Sequence, residues 1–348
     1  MEQIKVLVVD DSFFMITALK TILETDKGIK VIDTAKNGLE AITKIKDFNP
    51  DVVTIDINMP YIDGIKSIQL IMNECPVPII VISAYTTDRD SEKTVAALSA
   101  GAVDYIGKPD GEVSTTLNMY AEQIVSKVKI AARANVKNIP IMLKKEAVKH
   151  DIAGAIAENL VIIGVSTGGP STLKQLFSSL KPDMNLSVIT AIHITDIYSD
   201  KLCSLINEVC PYNVMSAEND TTIKNKMFYI CSSGRNYEIS YGLKIKHTPY
   251  FPNQIYTPSV DVLFSSAAKN VKAKKMLGIV LTGMGSDGSK GIVDLYNAGA
   301  FTAVQDEKSS VIYGMPKNAK LTGKYHFESS LNELPALIEK FCSNKLRA

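Results

Sequence analysis

Two α/β domains, each a doubly wound parallel sheet, are predicted by three features of the chain. Its 348 residues amount to about two domains at ~150 residues each. Short β-branched apolar runs recur without polar alternation, as strands covered on both faces require. Amphipathic stretches of helical spacing separate those runs in two successive series, with a polar gap between the series.

In the first series, Ile4–Val9, Val52–Ile57, Ile79–Ile82 and Val103–Ile106 read as strands. Met15, Leu19, Ile22 and Leu23 follow helical spacing, Asn37 suits the N-cap of a helix over Gly38–Phe48, and Glu112–Ala134 reads as a closing helix. Periodicity then fades, and Lys144-Lys145-Glu146 and Lys149-His150-Asp151 mark a connector. The expected division is 1–125 for the first domain, 126–158 for the helix end and linker, and 159–348 for the second domain.

The second series starts with a strand over Leu160–Val165, a helix over Ser171–Leu180 and a strand over Leu186–Ile194. A helix over Lys201–Val209 and a strand over Lys226–Cys231 follow. Tyr237–Ser240 and Leu243–His247 flank Tyr241-Gly242 as an inserted hairpin. Helices over Ser259–Asn270 and Ser289–Asn297 alternate with strands over Met276–Leu281 and Phe301–Gln305. Helices over Pro316–Leu321 and Leu331–Cys342, with a short strand between them, end the series.

Composition narrows the function. Hydrophobic residues at 46% and charged residues at 22% suit two buried cores. With 38 basic and 37 acidic side chains, no global basic field exists to hold nucleic acid or an anionic membrane. No apolar run is long enough to insert in a bilayer, and the N-terminus enters a strand directly, so no signal peptide is expected. Five scattered cysteines suit a reducing cytoplasm rather than a disulfide framework or a zinc site.

The first three strand ends with chemistry carry Asp10-Asp11, Asp56 and Ser83, and Lys108 ends the last. Parallel strands bring such ends to one sheet edge, where ligands of open α/β sheets bind. Three carboxylates there repel one another unless a cation joins them, and Mg²⁺ suits that donor set. Asp56 is then free to accept a phosphoryl group, with Lys108 as a point charge and Ser83 as a hydroxyl. An aspartate at one strand end is ordinarily a turn or cap residue; four matching ends in order argue for the site.

Here the chain resembles the receiver domain of two-component response regulators, a flavodoxin-like fold. The resemblance rests on Val8-Val9-Asp10-Asp11-Ser12, Ile55-Asp56-Ile57-Asn58-Met59-Pro60 with Asp63-Gly64, Ser83-Ala84, and Tyr105-Ile106-Gly107-Lys108-Pro109. It implies Asp56 as phosphoacceptor, Asp10 and Asp11 as further Mg²⁺ ligands, and Ser83 and Tyr105 as residues that report phosphorylation.

Gly164-Val165-Ser166-Thr167-Gly168-Gly169-Pro170 follows a strand and opens a helix. Such a turn lifts a serine clear of the backbone near unpaired helix N–H groups. The same glycines also suit a phosphate-binding turn, or a tight loop with the serine as cap. Serine needs a base. His150 lies in the linker, His247 beside Lys246 in the hairpin and His326 near the end, whereas His193 closes a strand neighbouring the serine turn. A carboxylate should follow on another strand end, and Thr282-Gly283-Met284-Gly285-Ser286-Asp287-Gly288 supplies Asp287, which could otherwise cap the next helix. The order Ser, His, Asp differs from the Ser, Asp/Glu, His of ordinary α/β-hydrolases.

Order and motifs resemble the chemotaxis-type protein-glutamate methylesterases, further through Pro258-Ser259-Val260-Asp261-Val262-Leu263-Phe264, Gln305-Asp306-Glu307 and Gly314-Met315-Pro316. Departures fall at Ile192, Ile194-Thr195 and Cys231-Ser232-Ser233-Gly234, outside the triad. The resemblance implies demethylation of glutamate methyl esters and deamidation of glutamines on methyl-accepting chemoreceptors by Ser166, His193 and Asp287, with Thr167 and Met284 near the oxyanion. It also implies a histidine kinase as phosphodonor, and no cofactor in the hydrolase domain. The rival reading is a response regulator whose second domain is a non-catalytic binding module. A transcription factor is weaker, since no helix-turn-helix with a basic recognition helix is present.

Overall fold

Strand order in the first sheet is β2-β1-β3-β4-β5, wholly parallel, formed by β1 (Ile4–Val9), β2 (Ile29–Ala35), β3 (Val52–Asp56), β4 (Ile79–Ala84) and β5 (Asp104–Lys108). The structure is a computed structural model that describes residues 3–60, 62–84, 88–108, 113–136, 155–251, 254–272 and 275–347. It divides into two units, Met1–Met142 and Leu143–Ala348.

Helices α1 (Phe13–Leu23), α2 (Gly38–Phe48), α3 (Gly64–Glu74), α4 (Asp88–Ser99) and α5 (Val113–Ala131) alternate with these strands. Three of them start where the sequence offers a side-chain oxygen: Ser12, Asn37 and Asp63 accept from the third backbone N–H beyond them. α1 packs with α5, whereas α2, α3 and α4 form a neighbouring series. The central strands β1 and β3 are mostly apolar because helices cover both their faces, although β3 holds the buried Thr54 and the terminal Asp56. β2 was not legible as an apolar run. It is an edge strand in which Lys30 is exposed and Asp33 and Thr34 are half-buried, so polar residues interrupt it.

The second unit carries a seven-stranded parallel sheet in the order β14-β13-β12-β6-β7-β9-β8. Its strands are β6 (Leu160–Val165), β7 (Ser187–Ile192), β8 (Asn213–Ser216), β9 (Met227–Cys231), β12 (Met276–Val280), β13 (Phe301–Gln305) and β14 (Phe327–Ser329). Helices are α6 (Gly169–Ser178), α7 (Ser199–Asn207), α8 (Val260–Asn270), α9 (Ser289–Asn297), α10 (Met315–Leu321) and α11 (Leu334–Cys342). α6 starts two residues before the expected Ser171, because Pro170 fits the first turn of a helix. β8 escaped the sequence reading: it is a four-residue edge strand with only Val214 fully buried.

α6 packs with α7, and α9 packs with both α8 and α10. The hairpin β10 (Asn236–Ser240) and β11 (Lys244–Thr248) is a separate antiparallel pair. Its inner residues Tyr237, Ile239 and Ile245 join Leu263, Phe264 and Ala267 of α8 in one buried cluster. That packing fixes the position of the α8 N-terminus, which matters for the site below.

Candidate active site and phosphoacceptor site

Ser166 stands directly after β6, His193 directly after β7, and Asp287 in the loop that leaves β12. Because the sheet order is β12-β6-β7, the three strand ends are neighbours. Ser166 is half-buried, the His193 side chain is 14% exposed and that of Asp287 is 2% exposed. His193 Nδ1 lies 3.1 Å from Ser166 Oγ, and its Nε2 lies 2.9 Å from Asp287 Oδ2. A base at Nδ1 needs an unprotonated Nδ1, so the hydrogen belongs on Nε2, donated to the carboxylate. In the familiar serine-protease template Nε2 faces the serine, so the ring is used here in the opposite sense.

Asp287 does not cap the helix that follows it. Gly288 is the N-cap of α9 and offers no side-chain bond. The carboxylate turns instead to the N-terminus of α8. Oδ2 accepts from Val260 N at 2.8 Å, and Oδ1 accepts from Asp261 N at 3.0 Å, Gly288 N at 3.1 Å and the Ser259 hydroxyl at 3.1 Å. A negative charge at a helix N-terminus is favoured, and here the N–H groups fix its direction as well. Asp261 lies beside it. Burial, and then the nearby Asp287 charge, push the Asp261 carboxyl above the usual carboxylate range.

Two loops are laced together around the serine. Ser166 N donates to Thr282 O at 2.9 Å, and the Thr282 hydroxyl donates to Thr167 O at 3.0 Å. Gln305, fully buried, accepts from Thr282 N at 2.7 Å and donates to Ser309 O at 2.9 Å. The backbone N–H groups of Thr167 and Met284 donate to no protein acceptor among the described residues. Gly285 has φ +87°, and a Cβ there would lie 2.1 Å from the Tyr256 hydroxyl, so a side chain is excluded twice over.

The remaining histidines are engaged elsewhere. His247 Nε2 lies 3.0 Å from Ala217 O, and His326 Nδ1 lies 2.9 Å from the Thr302 hydroxyl. His150 lies outside the described residues. The thiols of buried Cys203 and half-buried Cys342 are poor nucleophiles, since desolvation pushes both up to about 12.

In the other unit, Asp10, Asp11 and Asp56 each offer an oxygen within 4.8 Å of the others. Asp10 and Asp56 are buried and Asp11 is exposed, so the cluster opens to one side. Three clustered hard carboxylate oxygens with an open side fit Mg²⁺, which keeps several waters. Ser83 pairs in register with Gly107, and Ala84 with Lys108, at the same strand ends. The Ser83 and Lys108 side chains lie outside the described residues, as does Pro109. Tyr105 is buried, with the Lys127 ammonium 4.8 Å from its ring centroid.

Sequence reading missed Tyr256 and Asn236, and quoted Ser259, Thr282 and Gln305 without a role. Ser259 carried a usable signal, being a serine directly before an apolar helical stretch. The others act through tertiary hydrogen bonds that leave no local pattern.

The sequence model of the CheB methylesterase family matches residues 161–338, and that of the response regulator receiver domain matches residues 6–117. A protein-glutamate methylesterase/protein-glutamine glutaminase of Carboxydothermus hydrogenoformans is 36% identical over 331 residues, spanning 92% of this chain and 93% of the relative. One of the same description from Oceanobacillus iheyensis is 33% identical over 358 residues, spanning 98% and 99%. The crystal structure of the Thermotoga maritima CheB methylesterase catalytic domain shares the fold with a TM-score of 0.51 at 24% identity, covering 54% of this chain and all of that one. The chain therefore belongs to the protein-glutamate methylesterase/protein-glutamine glutaminase family, in which a receiver domain precedes a CheB methylesterase domain.

Proposed function

We propose that Ser166 is the nucleophile of this phosphorylation-regulated protein-glutamate methylesterase, with His193 as general base and acid and Asp287 as the carboxylate that holds the imidazole. The observation that carries the assignment is the hydrogen-bonded chain from Ser166 Oγ through both His193 nitrogens to Asp287. Ser166 Oγ attacks the γ-carbonyl carbon of a glutamate methyl ester while its proton passes to Nδ1. The oxyanion is held by the N–H groups of Thr167 and Met284, and one such donor is worth roughly 10²–10³ in rate. Collapse expels methanol, which takes the proton back from Nδ1. Water then attacks the acyl-enzyme with the same base, releasing glutamate and free Ser166. A glutamine side chain enters the same acyl-enzyme by losing ammonia, so one triad serves both reactions.

The substrates are helices of methyl-accepting chemoreceptors and the phosphodonor is a chemotaxis histidine kinase, which puts the protein in the cytoplasm. Residues 1–125 form the receiver, 126–158 the connector and 159–348 the hydrolase. Asp56 accepts the phosphoryl group, and Ser83, Tyr105 and Lys108 transmit its arrival. Asp10, Asp11 and Asp56 would hold Mg²⁺, which supplies positive charge to offset that of the phosphoryl oxygens.

Methanol release from methylated receptor, with and without a small-molecule phosphodonor, tests the reading. The full chain should respond to the donor, Ser166→Ala should be inactive in both conditions, and a fluorophosphonate should label the wild type alone. Labelling that persists in Ser166→Ala, or none in an active wild type, overturns the choice of nucleophile. A wild type that neither releases methanol nor takes the label favours a binding module.

A further inference from the structure

The His193 ring has a third neighbour besides Ser166 and Asp287. Tyr256 stacks parallel to it, ring centroids 5.2 Å apart and planes within 5°. Parallel planes at that separation make an offset stack, one of the favoured arrangements of two aromatic rings. Tyr256 is itself held. Gln254 donates through Nε2 to Tyr256 O, and its amide pairs both ways with that of Asn236, each bond 2.8 Å. Asn236 is fully buried, and its Oδ1 also accepts from Ser259 N at 3.0 Å. On the far side, the Tyr256 hydroxyl presses against Gly285 in the loop that carries Met284 and Asp287.

Two arms therefore leave Asn236 and converge on one imidazole. One runs through Ser259 to Asp287 and reaches the ring edge at Nε2. The other runs through Gln254 to Tyr256 and reaches the ring face. An edge contact alone leaves the ring free to swing about the Nε2–carboxylate axis. A face contact removes that freedom and keeps Nδ1 aimed at Ser166.

From this geometry we infer that Tyr256 is a positioning residue for His193, which also stabilises the imidazolium formed as Ser166 gives up its proton. The inference rests on the assignment of Ser166 and His193 above. A cation over an aromatic face gains about as much from phenylalanine as from tyrosine, so the ring and not the hydroxyl should carry the effect. The ionisable groups set against His193 are Asp287 at Nε2 and the Tyr256 ring itself. Asp261 turns its carboxylate to Gly291 N, and Asp196, on the turn after β7, is held by Arg235 and Ser232.

The test is the rate of Ser166 labelling by a fluorophosphonate across pH, on the full chain with a small-molecule phosphodonor, for the wild type, Tyr256→Phe, Tyr256→Leu and Tyr256→Met. The two aliphatic variants guard against one of them failing to fold, which thermal unfolding reports. Tyr256→Phe should stay within about threefold of the wild type, and the aliphatic variants should label about 5- to 30-fold more slowly at the plateau. Their acid limb should also move to lower pH, because an imidazolium without its aromatic face is the less stable form; simple loosening would lower the plateau and leave the limb in place. Aliphatic variants that label at the wild-type rate with the limb unmoved overturn the inference, as does a Tyr256→Phe variant as slow as Tyr256→Leu. Ser166→Ala and His193→Gln are run beside them: if either labels normally, the triad assignment has failed, and not the role of Tyr256.

Discussion

Replacing Asp287 by asparagine changes one atom, and the hydrogen bonds around it dictate the outcome. Three donors face Oδ1, namely Asp261 N, Gly288 N and the Ser259 hydroxyl; Val260 N and His193 Nε2 face Oδ2. An amide must set its NH₂ on one side. On the Oδ1 side it opposes two backbone N–H groups that cannot turn away. On the Oδ2 side it opposes one, Val260 N, and the imidazole can respond by moving its hydrogen. The second placement is cheaper, so the amide should donate to Nε2 and force the imidazole hydrogen onto Nδ1, facing Ser166. That tautomer cannot act as the base. The expected loss is about 10³–10⁴ in kcat, the scale found when a triad aspartate is made neutral in other serine hydrolases.

Stability should fall too. One buried backbone donor left without an acceptor costs about 1–3 kcal/mol, and the lost charge at the α8 N-terminus about 1 kcal/mol more. For a domain of this size a loss of about 2–4 kcal/mol lowers the unfolding temperature by roughly 5–15 °C. Methanol release and fluorophosphonate labelling measure the first effect, and calorimetry the second. An asparagine variant within about tenfold of the wild type, beside an inactive Ser166→Ala, would refute the tautomer argument. Equal stability of the two proteins would refute the donor count.

Ser259→Ala removes the α8 cap, whose oxygen accepts from Val262 N at 3.3 Å, and one donor to Asp287. It should cost about 1 kcal/mol of stability by thermal unfolding and about 3- to 30-fold in kcat, less than Asp287→Asn because three backbone donors remain. His193→Ala should lose about 10²–10⁴ in labelling rate while His247→Ala stays near the wild type, since His247, in the hairpin, faces Ala217 O just after β8. Asp56→Asn should keep its basal esterase rate and lose the increase with phosphodonor, and chelation of Mg²⁺ should do the same to the wild type. Acid-stable ³²P retained on Asp56→Asn would move the phosphoacceptor elsewhere.

Central strands and the residues at their ends were legible because each is dictated locally. A strand covered on both faces must be largely apolar, as β6 is throughout and β7 is apart from Ser187 and Thr190, and a chemical group at its end stands out against that run. Edge strands carry no such signal: β2 and β8 mix polar and apolar residues because one side is open. Ser166, His193 and Asp287 could be named from strand ends, but the use of Nδ1 toward the serine could not. It follows from the rise of the 282–288 loop and from α8, whose N-terminus sets where the carboxylate lies. The hydrogen-bond hub at Asn236 was equally hidden, since an asparagine at the start of a hairpin strand has the local pattern of an ordinary turn residue.

Both sites lie where strand order reverses. In the first sheet β1 has β2 on one side and β3 on the other; in the second β6 has β7 on one side and β12 on the other. The connections that leave the adjacent strands β1 and β3, and β6 and β12, run in opposite directions and open a crevice at those strand ends, where Asp10 and Asp11 stand in one unit and Ser166 in the other. In the second unit α8 closes in on that crevice from beside the sheet. A Cβ on Gly164, in β6, would stand 2.2 Å from Val260 Cγ1, so the first turn of α8 rests directly on the strand that carries the nucleophile. Gly164→Ala should therefore cost about 1–3 kcal/mol by overpacking. It should also lower kcat, because the Val260 N–H that would be pushed aside is the one bonded to Asp287 Oδ2. Val260→Ala, which empties the space, should on its own cost on the order of 2 kcal/mol and leave kcat less affected. Combined, the two changes fit one another, and the double variant should be more stable and more active than the sum of the single effects, with a coupling of about 0.5–3 kcal/mol. Strict additivity in both stability and kcat would mean that α8 does not set the carboxylate through its contact with β6, and that the hairpin packed against Phe264 holds it alone.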